Sequence, residues 1–197
     1  MKRTVTRLFD TRAQAEGAVR DLEAMGIPAS DLSLVSGRGA SEETRSFAED
    51  HDAAHGAGKG VAAGGVVGAG VGLLAGLGLL AIPGLGPVVA AGWLVSTAVG
   101  AVAGAAAGGA AGGLLGALKD AGVGEDDAHV YAEGVRRGGT LVSARAEESD
   151  AARVEQLLDA QGGVDATKRG AVYREQGWTS FDEKAAPDPA QTPPPLI

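Results

Sequence analysis

Between Gly60 and Leu118 the chain carries no charged side chain, and glycine returns there at every fourth position in two runs. The first is Gly60, Gly64, Gly68, Gly72 and Gly76; the second is Gly100, Gly104, Gly108, Gly112 and Gly116. On a helix, a spacing of four sets each glycine one turn above the last, rotated by about 40°. The product is a smooth groove into which another backbone can settle, the small-xxx-small pattern of closely packed helices. Between the runs lies Ile82-Pro83-Gly84-Leu85-Gly86-Pro87, a turn built on Pro83, Gly84, Gly86 and Pro87. The pattern predicts a helical hairpin over about 60–82 and 88–118.

Composition limits what else the 197 residues can be. Aromatics make up 4%, so little conventional core is expected outside the hairpin. The net charge of −8 comes without a basic stripe, which argues against a nucleic-acid partner. Cysteine is absent, removing disulfides, thiolate metal sites and cysteine nucleophiles together. The stretch Met1–Asp10 lacks the apolar run of a signal peptide, so a cytoplasmic N-terminus is expected.

The polar flanks read as two half-domains. Thr4–Phe9 is a short β-rich run bounded by Asp10, a good helix cap; a helix follows from about Thr11 to Met25, and Gly26 closes it ahead of Pro28. Asp31–Ser36 alternates like a strand ending at Gly37. After the hairpin, Glu125-Asp126-Asp127 is the acidic first turn of a helix through Arg136. Thr140–Ala146 reads as a strand. A helix then opens at Ser149-Asp150, Gly162-Gly163 ends it, and a last strand is expected over Val164–Lys168. Each half is too small to stand alone. Joined, they predict an α+β fold: a split ferredoxin-like βαβ–αβαβ domain with helices on one face, interrupted by the Gly/Ala-rich hairpin. The expected boundaries are 1–37 for the first half, 38–59 for a polar linker, 60–118 for the hairpin, 119–172 for the second half and 173–197 for a disordered tail.

The phrase from Tyr131 to Val142, Tyr-Ala-Glu-Gly-Val-Arg-Arg-Gly-Gly-Thr-Leu-Val, the Ala81–Pro87 turn and the glycine-zipper hairpin resemble bacterial general stress proteins of the heat-induced stress domain family. The resemblance covers about residues 4–170. It implies a split α/β domain and a stress association, and it supplies no catalytic residues.

Other chemistry was weighed residue by residue. His51 and His55, four apart beside Asp50 and Asp52, would share a helix face, but no third metal ligand is evident and a solvated linker explains them better. Gly58-Lys59 lacks both the upstream glycine and the following hydroxyl of a phosphate loop. Gly70-Val71-Gly72 lies inside an apolar run with no strand before it, so a dinucleotide fingerprint is rejected. His129 reads as a surface residue. Arg136 and Arg137 fit the C-terminal end of their helix, and Trp178 and Phe181 stand in a polar tail. No catalytic, cofactor or metal residue is assigned, and no small-molecule substrate is evident.

The hairpin has two destinations. A helix over 60–82 would span about 34 Å, enough for a hydrocarbon layer of about 30 Å. Lys59 and Lys119 would anchor its ends, and Trp93 would sit at an interface. The leading expectation is therefore a non-enzymatic, stress-associated protein that inserts or docks the hairpin in the cytoplasmic membrane, termini cytoplasmic, and self-associates through it. The alternative is a soluble homo-oligomeric scaffold whose hairpins bundle away from lipid, because residues 100–113 are almost wholly alanine and glycine and offer lipid little apolar area.

Overall fold

The structure, a computed structural model, describes residues 1–37, 78–82, 85–97 and 113–182. The chain is α+β. Its strands are β1 (Lys2–Phe9), β2 (Leu32–Ser36), β3 (Gly78–Ile82), β4 (Gly86–Gly92) and β5 (Thr140–Glu147). The helices are α1 (Arg12–Ala24), α2 (Leu114–Asp120), α3 (Glu125–Arg136), α4 (Glu148–Ala160) and α5 (Ala166–Glu175), and residues 93–97 are also helical. The strands form one antiparallel sheet in the order β1-β5-β2-β4-β3.

Local chemistry explains the helix limits. Thr11, not the expected Asp10, caps α1 by accepting the Gln14 N–H, while Asp10 pairs with Arg169; Asp165 caps α5 by accepting the Lys168 N–H at 2.8 Å. All five helices end in the same reversal, with Gly26, Gly122, Gly138, Gly162 and Gly177 at positive φ. After α1, for example, Gly26 N–H donates to Glu23 and Ile27 N–H to Leu22, the paired bonds of a Schellman motif.

Side-chain alternation buries both faces of the sheet. Val5, Phe9, Leu32, Leu34, Val142 and Ala144 join α1 and α4 in one cluster. Leu8, Val35, Val88, Ala90 and Leu141 join α2, α3 and α5 in another. The expectation of helices on one face is thereby corrected. The hydroxyls along these strands do not make a solvated face. Thr6 and Ser143 instead share a buried 3.0 Å hydrogen bond across β1 and β5, and Ser36 and Thr140 share one of 2.8 Å across β2 and β5.

The largest correction falls on the hairpin. Residues 78–82 and 88–92, expected as helix, lie in β3 and β4, and Gly86 and Pro87, expected in the turn, belong to β4 as well. The same turn that can link two helices here links two strands, and β4 pairs with β2 from Val89 to Gly92. Gly86 and Pro87 open β4. Because β2 pairing starts only at Val89, Pro87 lies where a missing N–H is tolerated. Of the zipper glycines, Gly116 lies in α2; Gly60, Gly64, Gly68, Gly72, Gly76, Gly100, Gly104, Gly108 and Gly112 lie outside the described residues, as do Pro83 and Gly84.

Two smaller corrections concern the C-terminal part. The strand expected over Val164–Lys168 reduces to one bridge, Val164 with Leu8, because Asp165 caps α5 immediately afterwards. The tail expected from residue 173 is ordered as far as Asp182: Tyr173 is fully buried and Phe181 is 6% exposed. The boundaries drawn at 118/119 and 172/173 fall inside α2 and α5. Residues 183–197 lie outside the described residues.

Gly92 tests the added hairpin. It sits at φ +96°, and a Cβ there would lie 2.2 Å from the Leu32 carbonyl oxygen. At Gly26, φ is +99° but the space is open. Gly92→Ala should cost about 2–4 kcal/mol and Gly26→Ala only about 1–2 kcal/mol in urea unfolding. Equal losses would mean that β4 does not pack on β2 as described.

Candidate functional site

Two polar clusters organise the surface around the sheet. The first forms where the glycine-rich segments join it. Gly78 opens β3 opposite Ala90 and Gly92 closes β4, so the chain enters and leaves the added hairpin at one end of the sheet. Asp31 is buried there, 5% exposed, with Lys2 at 2.5 Å and Arg145 at 3.0 Å from its carboxylate. Trp93, the first residue after β4, donates its indole N–H to the Asp31 carbonyl at 3.2 Å. The Arg145 guanidinium stacks 4.5 Å from the Trp93 ring. Trp93, expected at a lipid interface, thus anchors the root of the helical segment to the domain. Asp31 and Arg145 were read only as strand residues; an acid directly before an apolar strand, with a lone arginine in its neighbour, was the signal that pointed to them.

The second cluster lies at the end of α3. Glu133 is fully buried, and its two carboxylate oxygens accept from Arg136 at 2.8 Å and Arg137 at 2.7 Å. The two arginines therefore serve a buried acid. Each then carries an aromatic ring: Arg137 lies 4.2 Å from the centre of Tyr173, and Arg136 lies 5.8 Å from that of Phe181. Trp178 meets Tyr173 edge-on, ring centres 5.9 Å apart. Arg137 also donates to the Gln176 amide oxygen, and buried Arg169 pairs with Asp10. Trp178 and Phe181, expected in a free tail, are thus held against the domain.

These contacts account for the phrase from Tyr131 to Val142. Tyr131 donates to the Thr6 carbonyl at 2.8 Å and accepts the Ala166 N–H at 3.1 Å, joining β1, α3 and α5. Gly134 lets α3 approach Leu8, whose Cδ2 would be 2.2 Å from an added Cβ. Gly37, at the exit from β2, bonds to the Gly139 carbonyl and has no room for a side chain against Val135. The phrase is a set of structural contacts.

Among the described residues no group of three or more His, Cys, Asp or Glu is arranged to hold a metal ion. His129 is half-buried, with no hydrogen-bond partner at Nδ1 among them. His51 and His55 lie outside them. Also among the described residues, no helix is long and apolar enough to cross a membrane. Comparison with known protein families, curated proteins and solved structures gives no match to the chain.

Glu133→Ala leaves two guanidiniums without their acid and should cost about 3–5 kcal/mol, with Glu133→Gln milder. An effect below 1 kcal/mol in urea unfolding, on the order of an exposed ion pair, would deny Glu133 its organising role. Both tyrosines of the chain are buried, which pushes Tyr131 and Tyr173 up to about 12. The folded state holds these protons more tightly than the unfolded chain, where tyrosine ionises near about 10. Their stabilisation is therefore complete below pH about 10 and is lost as pH rises toward 12, by about 1.4 kcal/mol per pH unit for each. Phenolate absorbance should show no native titration near pH 10, and a step there for either ring would contradict the packing.

Proposed function

We propose that the chain is a non-enzymatic, stress-associated assembly protein, a split ferredoxin-like α+β head that self-associates through the two glycine-every-fourth runs. The ferredoxin-like reading is supported by the order Val164, β1, β5, β2, antiparallel throughout, which two interleaved β-α-β crossovers generate. In this reading β3 and β4 widen the sheet beyond β2.

One observation carries the choice of assembly over a membrane-crossing hairpin. Leu94 and Leu114 are buried in the same cluster, so the chain that leaves the head after Thr97 has returned to it by Gly113. The fifteen residues between them, 98–112, would reach only about 22 Å as a helix, too short to cross about 30 Å of hydrocarbon and return. Gly86 and Pro87, expected in the turn of the helical hairpin, open β4, which pairs with β3 on one side and β2 on the other. Small-residue runs rooted at both ends in one head are suited to pack on each other and on further copies. A peripheral dock on the cytoplasmic membrane is the second reading, favoured by the absence of charge from Gly60 to Leu118.

Leucine at Gly68 and Gly72, or at Gly108 and Gly112, should lower the oligomer's mass in sedimentation while the head still unfolds at parental urea concentration. Assembly that survives both double variants would sink the reading. Retention of the parent in a membrane pellet through an alkaline wash would favour insertion instead.

A further inference from the structure

Among the described residues, the outer edge of β1 carries no strand beyond Val164. Leu8 exchanges both backbone bonds with Val164, at 2.9 Å each, so in an antiparallel ladder Thr6, Thr4 and Lys2 also aim their N–H and C=O groups away from β5. The Thr6 carbonyl is taken by the Tyr131 hydroxyl and by Arg7. The Thr6 N–H and both backbone groups of Thr4 and Lys2 have no partner among the described residues. No described residue continues the ladder beside them, because the chain turns into α5 directly after Val164.

This edge lies at the bottom of a cleft of about 510 Å³. Gly122, Gly124 and Asp127 form one wall, and Glu148 and Glu155 the other. An unpaired strand edge between two walls is the geometry for strand addition. The charges select the occupant. Of the cations lining the cleft, Arg3 and Arg7 are paired with Glu155 and Asp159, Lys2 with Asp31, and the N-terminal ammonium of Met1 with Glu147. Asp127 and Glu148, exposed on opposite walls, have no ion-pair partner among the described residues. Side chains of an added strand alternate between the two walls, so neighbouring cationic residues would meet one carboxylate each.

We propose that the β1 edge binds an extended basic peptide segment of a partner, added antiparallel to β1 beyond Val164, with adjacent lysine or arginine side chains directed at Asp127 and Glu148. The probe is a blocked seven-residue peptide of valine and threonine with two adjacent central lysines, titrated into the full chain by calorimetry and followed by amide NMR. Binding should shift the Thr4 and Thr6 amides and slow their exchange, and the same peptide with glutamates should bind at least about tenfold more weakly. Joint Asp127→Lys and Glu148→Lys substitution, at exposed positions, should weaken the lysine peptide by about tenfold. Thr4→Pro removes an outward N–H that β5 does not use and should abolish binding. Equal binding of the glutamate peptide, affinity unchanged by the charge reversals, or shifted amides away from β1 would overturn the proposal. So would a dimer formed through β1 and dissolved by Thr4→Pro, which would make a second copy the occupant. If Thr4→Pro fails to fold, the charge reversals decide the question alone.

Discussion

β1 and β2 do not touch. The slot between them is filled by β5, whose Ser143 meets Thr6 from 137 residues away. Every other packing relation follows from that insertion. With β5 in place, Val142 and Ala144 complete the floor under α1 and α4, and Leu141 completes the opposite floor under α3. Without it, β1 and β2 are separate edges that cannot bury their side chains.

That dependence explains how the head tolerates so long an interruption. The entropic cost of closing a loop grows only with the logarithm of its length, so most of the penalty is already present in a short connection. Repayment comes from the eight-residue register of β1 with β5 and the five-residue register of β2 with β5. At the exit, Gly37 bonds to Gly139, one residue before β5 begins. The point where the interruption starts is thus tied directly to the point where the second half resumes its strand.

Helix ends were legible because their chemistry is local. Gly26, Gly138 and Gly162 stop helices by backbone conformation alone, and the acidic turn at Glu125–Asp127 starts one. The strands of the first half, and β5, were legible for the same reason. The β3–β4 pair was not, since the four-residue glycine periods on either side carry a helical reading into it and its Leu/Val/Ala composition suits a helix as well as a strand buried on both faces. Only pairing with β2 decides between them. The Asp31 cluster was hidden for another reason: its partners Lys2 and Arg145 come from distant parts of the chain. Glu133 has its arginines three and four residues on, a spacing visible in the sequence, and only the rings of Tyr173 and Phe181 are distant from it. Asp165 was the exception, a helix cap visible three residues before Lys168 but read as part of a strand.

The hairpin's position in the sheet also has a mechanical side. β3 has β4 as its sole neighbour in the sheet, and both glycine-rich segments join the pair at its open end, opposite the turn. Tension arriving along those segments would peel β3 from β4 one ladder bond at a time. β5, gripped along its length by β1 and β2, resists the same pull with many bonds acting together. The hairpin would therefore yield first and lengthen the connection between those segments while β1, β5 and β2 stay paired.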